Sequence, residues 1–213
     1  MWVKIAAYFA DSSDRYLTML AEHLKISVLA FLIAAAIAVP AGWLCVRFSR
    51  LEKVINGFFG VLRVIPSLAV LLLILPLLGT GTVPAAVALV LLAIPPILMN
   101  TAAGLRGVEP FLLETAEAMG MEPNQVWTRV RFPLAMPLVM TGLKTAAVEI
   151  ISSATLAAKI GAGGLGDIIF TGIGLYRTDL LIIGGVTVAA LSLTTGLLFS
   201  IVEKILFPYK KIS

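Results

Sequence analysis

Residues able to do covalent or metal chemistry are scarce in this chain, and they are not grouped for it. The 213 residues include one histidine, His23, and one cysteine, Cys45. Nucleophilic catalysis needs a nucleophile held against a base, and a zinc site needs several His, Cys or carboxylate ligands at short spacing. Neither a dyad nor an H-E-x-x-H pattern is present. No second ligand type lies beside His23, so no metal is expected there. Cys45 sits in an apolar run, where a lone thiol serves as a small hydrophobe. Gly161-Ala-Gly-Gly-Leu-Gly166 is as glycine-rich as a phosphate loop but lacks the Gly-Lys-Ser/Thr ending and a preceding strand. No catalytic residue and no cofactor follow from these residues. Glu149 is different in kind. It is an acid near the middle of a long apolar run, close to Ser152, Ser153 and Thr155, and an ionisable group at such a depth marks a functional site.

The elements that must position these residues are membrane spans. Apolar residues make up 60% of the chain and charged residues 13%, and mean hydropathy is +1.03. A soluble domain is nearer half apolar and a quarter charged, so lipid is the expected solvent. Ile26–Val46 carries no charge over 21 residues, about 31 Å of helix against roughly 30 Å of hydrocarbon. The first long run is longer than a signal-peptide core and begins behind a mixed-charge stretch, so a cleaved signal is not expected.

The expected architecture is an all-α, polytopic membrane bundle of about five transmembrane helices. Residues 1–23 read as a partly helical interfacial lead-in, with Trp2, Tyr8 and Tyr16 suited to the headgroup region. Spans are expected at 24–46, 55–79, 83–105, 134–158 and 179–203, within a permease-sized unit 24–205 and a tail 206–213. Pro40 is a candidate kink. Arg63 and Pro66 interrupt the second run, so its deep part is Ile65–Leu78. Pro95-Pro96 in the third run frees backbone carbonyls, which lipid does not satisfy, so that span should face the bundle interior. Met99 is read as packing and Asn100 as an interhelical hydrogen bond. Arg47, Arg50, Lys53, Arg63, Arg106, Arg129, Arg131, Lys144, Lys204, Lys210 and Lys211 fall on one side of this topology. Lys4, Arg15, Lys25, Lys159 and Arg177 fall on the other, which accounts for all 16 basic residues. The positive-inside tendency puts the 106–133 loop and the C-terminus in the cytoplasm and the N-terminus outside. It also accounts for the net charge of +4 without nucleic acid.

The 106–133 loop is too structured for a tether. Pro110 suits a first helical position; Phe111, Leu112, Thr115, Ala116 and Met119 then recur at helical spacing. Gly120 breaks that helix, and Pro123 opens a second, carrying Val126, Trp127 and Val130 and expected to stop before Pro133. Two short helices at an angle make a knob able to transmit a push.

Glu114-Thr-Ala-Glu-Ala-Met-Gly120, nine residues, then Val130-Arg-Phe-Pro133 resembles the EAA loop of bacterial ABC-importer permeases, with consensus E-A-A, three residues, G, nine residues, I-x-L-P. Thr115 replaces the first alanine, and Val130 and Phe132 replace Ile and Leu. Glu22-His-Leu-Lys-Ile-Ser27, Ile65-Pro-Ser-Leu-Ala69 and Ala154–Gly166 resemble the branch that moves glycine betaine, choline, carnitine and relatives, and the likeness spans roughly 20–205. It implies a non-catalytic transport subunit of a bacterial inner membrane. Its partners would be a cytoplasmic ATPase in two copies, a second permease copy or sister permease, and a separate extracytoplasmic binding protein.

The resemblance implies ATPase coupling at Glu114, Ala116, Gly120, Val130 and Pro133, which fall on the motif's specified positions, and coupling is also expected at Glu117 and Ala118, which stand at its unspecified positions. A translocation path or gate is expected at Pro66, Ser67, Glu149, Ser152, Gly161, Gly163, Gly164 and Gly166. For Glu149 two readings stand: a hydrogen-bonded carboxyl joining helices, or a contact for a substrate's cationic head. The glycine run is either a compact outer turn or a mobile gate. Methionine or other amino-acid permeases stay open as alternatives. A secondary transporter would need paired repeats, and five spans without duplication argue against it.

Overall fold

The computed structural model describes residues 2–48, 57–61 and 63–207. Among them every regular element is helical, the form that satisfies its own backbone groups in lipid. Helix α1 (Trp2–Arg47) runs 46 residues, and Ser12 alone departs from helical dihedrals, at φ −136° and ψ 23°. The lead-in is therefore helical and joined to the first span, and Pro40 lies inside regular helix. Residues 57–61 form a helical turn. Then come α2 (Ser67–Leu78), α3 (Thr82–Arg106), α4 (Pro110–Ala118) and α5 (Pro123–Val126). A π-helical turn, Trp127–Arg131, joins α5 to α6 (Phe132–Ala157), and a 3-10 turn, Ala158–Ile160, closes α6. α7 (Leu165–Gly174) and α8 (Thr178–Leu206) complete the bundle.

Among the described residues, four continuous stretches are long and apolar enough to cross a membrane: Trp2–Arg47, Thr82–Arg106, Pro123–Ile160 and Thr178–Leu206. The second expected span, 55–79, is shorter than that. α2 holds 12 residues, about 18 Å, well under the hydrocarbon thickness. Pro66, at φ −55° and ψ 137°, is the cause, because an extended ψ there delays the helix to Ser67. The Gly81 N–H donates to the Ile160 carbonyl at 2.7 Å, which levels the far end of α2 with the end of α6. Ser67 lies eleven residues before Leu78, and Glu149 eleven before Ile160, roughly 16 Å along the helix in each case. Arg50, Lys53, Lys210 and Lys211 of the charge count lie outside the described residues.

Close packing holds the bundle together, since lipid gives helices no hydrophobic reason to associate. α1 presents Ala30, Ala34, Ala38 and Gly42 at intervals of four, and all are buried. A Cβ on Gly42 would sit 2.7 Å from the Thr101 Cβ, and one on Gly142 would sit 2.8 Å from the Asn100 Cβ. α3 thus touches α1 on one side and α6 on the other. Leu92–Leu98, with Pro95 and Pro96, is buried throughout, as the double proline requires. Asn100 differs from expectation: its amide donates to the Pro96 carbonyl of its own helix, one turn back, at 2.8 Å. Polar ties join distant helices. The Tyr16 and Thr187 hydroxyls meet at 3.0 Å, the His23 Nε2 meets the Ile151 carbonyl at 3.1 Å, and the Lys144 ammonium donates to Ser200 at 2.7 Å. Lys144 is thereby fixed between α6 and α8.

Candidate functional site

The loop between α3 and α6 folds into a knob. α4 opens with Pro110 at its first position, and the chain reverses at Gly120, whose φ of 86° disfavours any side chain. The Met121 N–H donates back to the Ala116 carbonyl, closing the end of α4. α5 opens with Pro123 and a reciprocal capping box of Glu122 and Gln125, which satisfies two orphan donors. The expected stop before Pro133 does not occur. The Phe132 N–H reaches the Trp127 carbonyl five residues back, and the wider π turn carries the chain onto the next helix. Pro133, without an N–H to donate, follows this turn directly as the second residue of α6. Pro123 to Ile160 is one continuous helical stretch, which joins the knob's second helix to α6 without a break.

Ala116 and Val126 are buried where α4 leans on α5, while Glu114, Glu117, Ala118, Gly120 and Pro133 are exposed and Val130 is half-buried. Phe111 and Met119 stand 71% and 76% exposed on the same knob, apolar surface that a lone subunit would not keep bare. The knob is stapled to the bundle by residues that sequence reading had given no role. Arg131 donates through Nε to the Leu105 carbonyl at the end of α3, 2.9 Å away, and its guanidinium stacks 4.6 Å from the Trp127 ring centre. Trp127 meets Trp43 of α1 edge-to-face at 6.3 Å. Between them lies a cleft of about 550 Å³ lined by Trp43, Arg47, Pro123, Asn124, Trp127, Thr128 and Phe132. A basic residue four positions after an aromatic one was the available sequence signal.

The remaining predicted residues divide between two places. Pro66 and Ser67 begin α2, and Glu149 and Ser152 lie on α6; Glu149 is half-buried and Ser152 exposed. The glycine run lies about 16 Å further along, at the opposite end of the bundle from the knob. There the Gly164 N–H donates to Glu22 Oε2 at 3.2 Å, and a Cβ on Gly163 would press on the same carboxylate at 2.8 Å. A Cβ on Gly166 would collide with the Thr155 carbonyl. Gly161 turns with φ 82° beside Gly81. These glycines bring α1, α6 and the α2–α3 turn together at one end, and α7 follows directly. α7 was missed in the sequence because its ten residues are too few for a periodic signal. Asp167 in its first turn is raised above the ordinary carboxylate value by burial and by the neighbouring charge of Glu22, against the pull of Arg15. Among the described residues no three His, Cys, Asp or Glu converge on a possible metal position.

A helical membrane bundle with a rigid projecting knob defines an importer permease fold. Residues 23–211 match the family described as binding-protein-dependent transport system inner membrane component, and the chain belongs to that family. It is 42% identical to a carnitine transport permease protein of Listeria monocytogenes over 189 residues, covering 89% of this chain and 87% of that protein. It is 41% identical to a choline transport system permease protein of Bacillus subtilis (strain 168), with coverage of 88% and 86%. Its fold is similar to a chain of the MetNI methionine ABC transporter in an inward-facing conformation, with TM-score 0.81, 20% identity, and 90% of this chain and 95% of that chain covered. The chain is a multi-pass inner-membrane permease subunit of an ABC importer. Its family implies a partner ATPase and a substrate-binding protein, and ATP is hydrolysed by the partner.

Proposed function

We propose that this permease carries a quaternary-amine osmoprotectant, whether glycine betaine, choline or carnitine, handed over by a separate extracytoplasmic binding protein. The kinship with carnitine and choline permeases over nearly nine-tenths of the chain supports this substrate class. Two permease copies, or this chain and a sister permease, line the path, and two ATPase copies drive it. The N-terminus lies outside, and the C-terminus and the 106–133 knob lie in the cytoplasm.

The observation that carries the mechanism is the unbroken run from Pro123 to Ile160, stapled by Arg131 to the end of α3. ATPase closure pushes on Glu114, Ala116, Glu117, Ala118 and Gly120. The push passes through Val130 and Pro133 into α6, which tilts and moves Glu149 and Ser152. At the outer end Gly161, Gly163, Gly164 and Gly166 form the close-packed hinge, and Pro66 and Ser67 border the path where α2 begins. The test is uptake of labelled choline, glycine betaine and carnitine by proteoliposomes holding the assembled complex with its binding protein and ATP. ATP-dependent uptake of at least one is expected; uptake of none, with an unrelated amino acid accumulated instead, overturns the substrate assignment.

A further inference from the structure

Along α6, Thr141, Thr145, Glu149 and Ser152 fall within an arc of about 80° at 100° per residue, which they share with Leu134, Leu138 and Leu156. All four are exposed or half-buried in the subunit, although α6 packs against α1, α2, α3, α7 and α8. The hydroxyls of Thr141, Thr145 and Ser152 are tied to carbonyls of their own helix, and the Lys159 ammonium rests 4.2 Å from the Phe170 ring centre. Glu149 is the one acid in the interior of α6. Among the described residues its carboxyl is neither hydrogen-bonded nor within ion-pair distance of a cation, and the one basic residue whose charge reaches it is Arg63, on the approach to α2. A carboxylate turned toward hydrocarbon costs several kcal/mol. Glu149 therefore fits a water-lined path better than a lipid face.

Resting on the transport reading above, we infer that Glu149 is a specificity residue of the path, an open carboxylate at mid-depth that receives the ammonium head of the passing substrate. A quaternary ammonium has no N–H to donate, so aromatic faces or a negative charge hold it rather than hydrogen bonds. A half-buried carboxylate with no competing cation in contact supplies that charge. Arg63 acts on the same carboxylate only from beyond ion-pair distance. Choline carries a net positive charge and glycine betaine none, so the site discriminates between them: loss of the Glu149 charge weakens choline transport more than betaine transport.

The experiment compares initial uptake of choline and betaine by proteoliposomes holding equal amounts of assembled complex. Glu149→Gln is expected to reduce choline uptake by roughly tenfold and betaine uptake by less, and Glu149→Asp to recover most of it. Equal choline-to-betaine ratios in wild type and Glu149→Gln overturn the inference and leave the transport reading standing. Uptake of neither compound by wild type overturns the inference, and only failure of carnitine as well sinks the transport reading. If Glu149→Gln does not assemble, Glu149→Cys in a Cys45→Ala background is treated with methanethiosulfonates. A sulfonate-bearing reagent is expected to restore choline uptake and a trimethylammonium-bearing one to abolish it; equal effects of the two overturn the inference.

Discussion

Arg131→Ala is the sharpest perturbation the fold offers, because one side chain ties the knob to two helices. The guanidinium gives one charge-assisted hydrogen bond to the Leu105 carbonyl and one stacking contact with Trp127, which leans on Trp43. A hydrogen bond from a charged group contributes about 1.5 kcal/mol at the low end suited to a half-buried site, and an exposed cation–π contact roughly 0.5 kcal/mol. Together they hold the knob by about 2 kcal/mol, roughly a thirtyfold bias toward the tied arrangement. Without it, ATPase closure rocks the knob and fails to turn α6. Reconstituted Arg131→Ala transporter should hydrolyse ATP with its substrate uptake per ATP reduced severalfold. Arg131→Lys should fall between, because an ammonium lacks the planar face and fixed fork of donors. The Trp127→Ala/Arg131→Ala double mutant should lose less than the two single losses combined, since the contacts share a partner. Wild-type uptake per ATP in Arg131→Ala would refute the reasoning.

Gly142→Ala places a Cβ 2.8 Å from Asn100 and 2.9 Å from the Pro96 carbonyl, an overpacking cost of about 1–3 kcal/mol. Its unfolding midpoint in detergent should fall, while Gly174→Ala, with nothing within 4 Å, should match wild type. Gly120→Ala forces φ 86° on a side chain, at about 1–2 kcal/mol, and Gly120→Asp adds a charge beside Glu117. Both should insert normally, with Gly120→Asp hydrolysing ATP without uptake; full uptake by Gly120→Asp would count against knob-driven coupling. Glu22→Ala removes the acceptor of the Gly164 N–H, so hydrogen exchange at that amide should quicken by about tenfold for a loss near 1.4 kcal/mol. An unchanged rate would mean that the outer hinge is held by packing alone.

Much of the knob was legible because its signals are local. Pro110, Gly120 and Pro123 each force a backbone state on their own position, and all three act as their types dictate. The continuation through Pro133 was not legible. A π turn bonds five residues back and leaves no side-chain period to read. Trp43 meets Trp127, and Arg131 meets Leu105, across distances in sequence that no local pattern spans. The short second span was half visible: Pro66 announced the break, but the depth of α2 follows from the Gly81–Ile160 hydrogen bond. Glu149 was found from its depth alone. The bare arc around it needed the packing of α6 on five other helices.

The central claim is that a stiff knob receives the ATPase stroke and drives α6. A Cys45→Ala/Glu117→Cys chain in intact cells tests it most directly, with a membrane-impermeant maleimide and then a short bifunctional cross-linker. The account predicts that position 117 is labelled only after the membrane is opened, and that it cross-links to an ATPase subunit with a yield that changes when ATP is added. Labelling of position 117 from outside intact cells, or cross-linking to no ATPase with or without nucleotide, would contradict it.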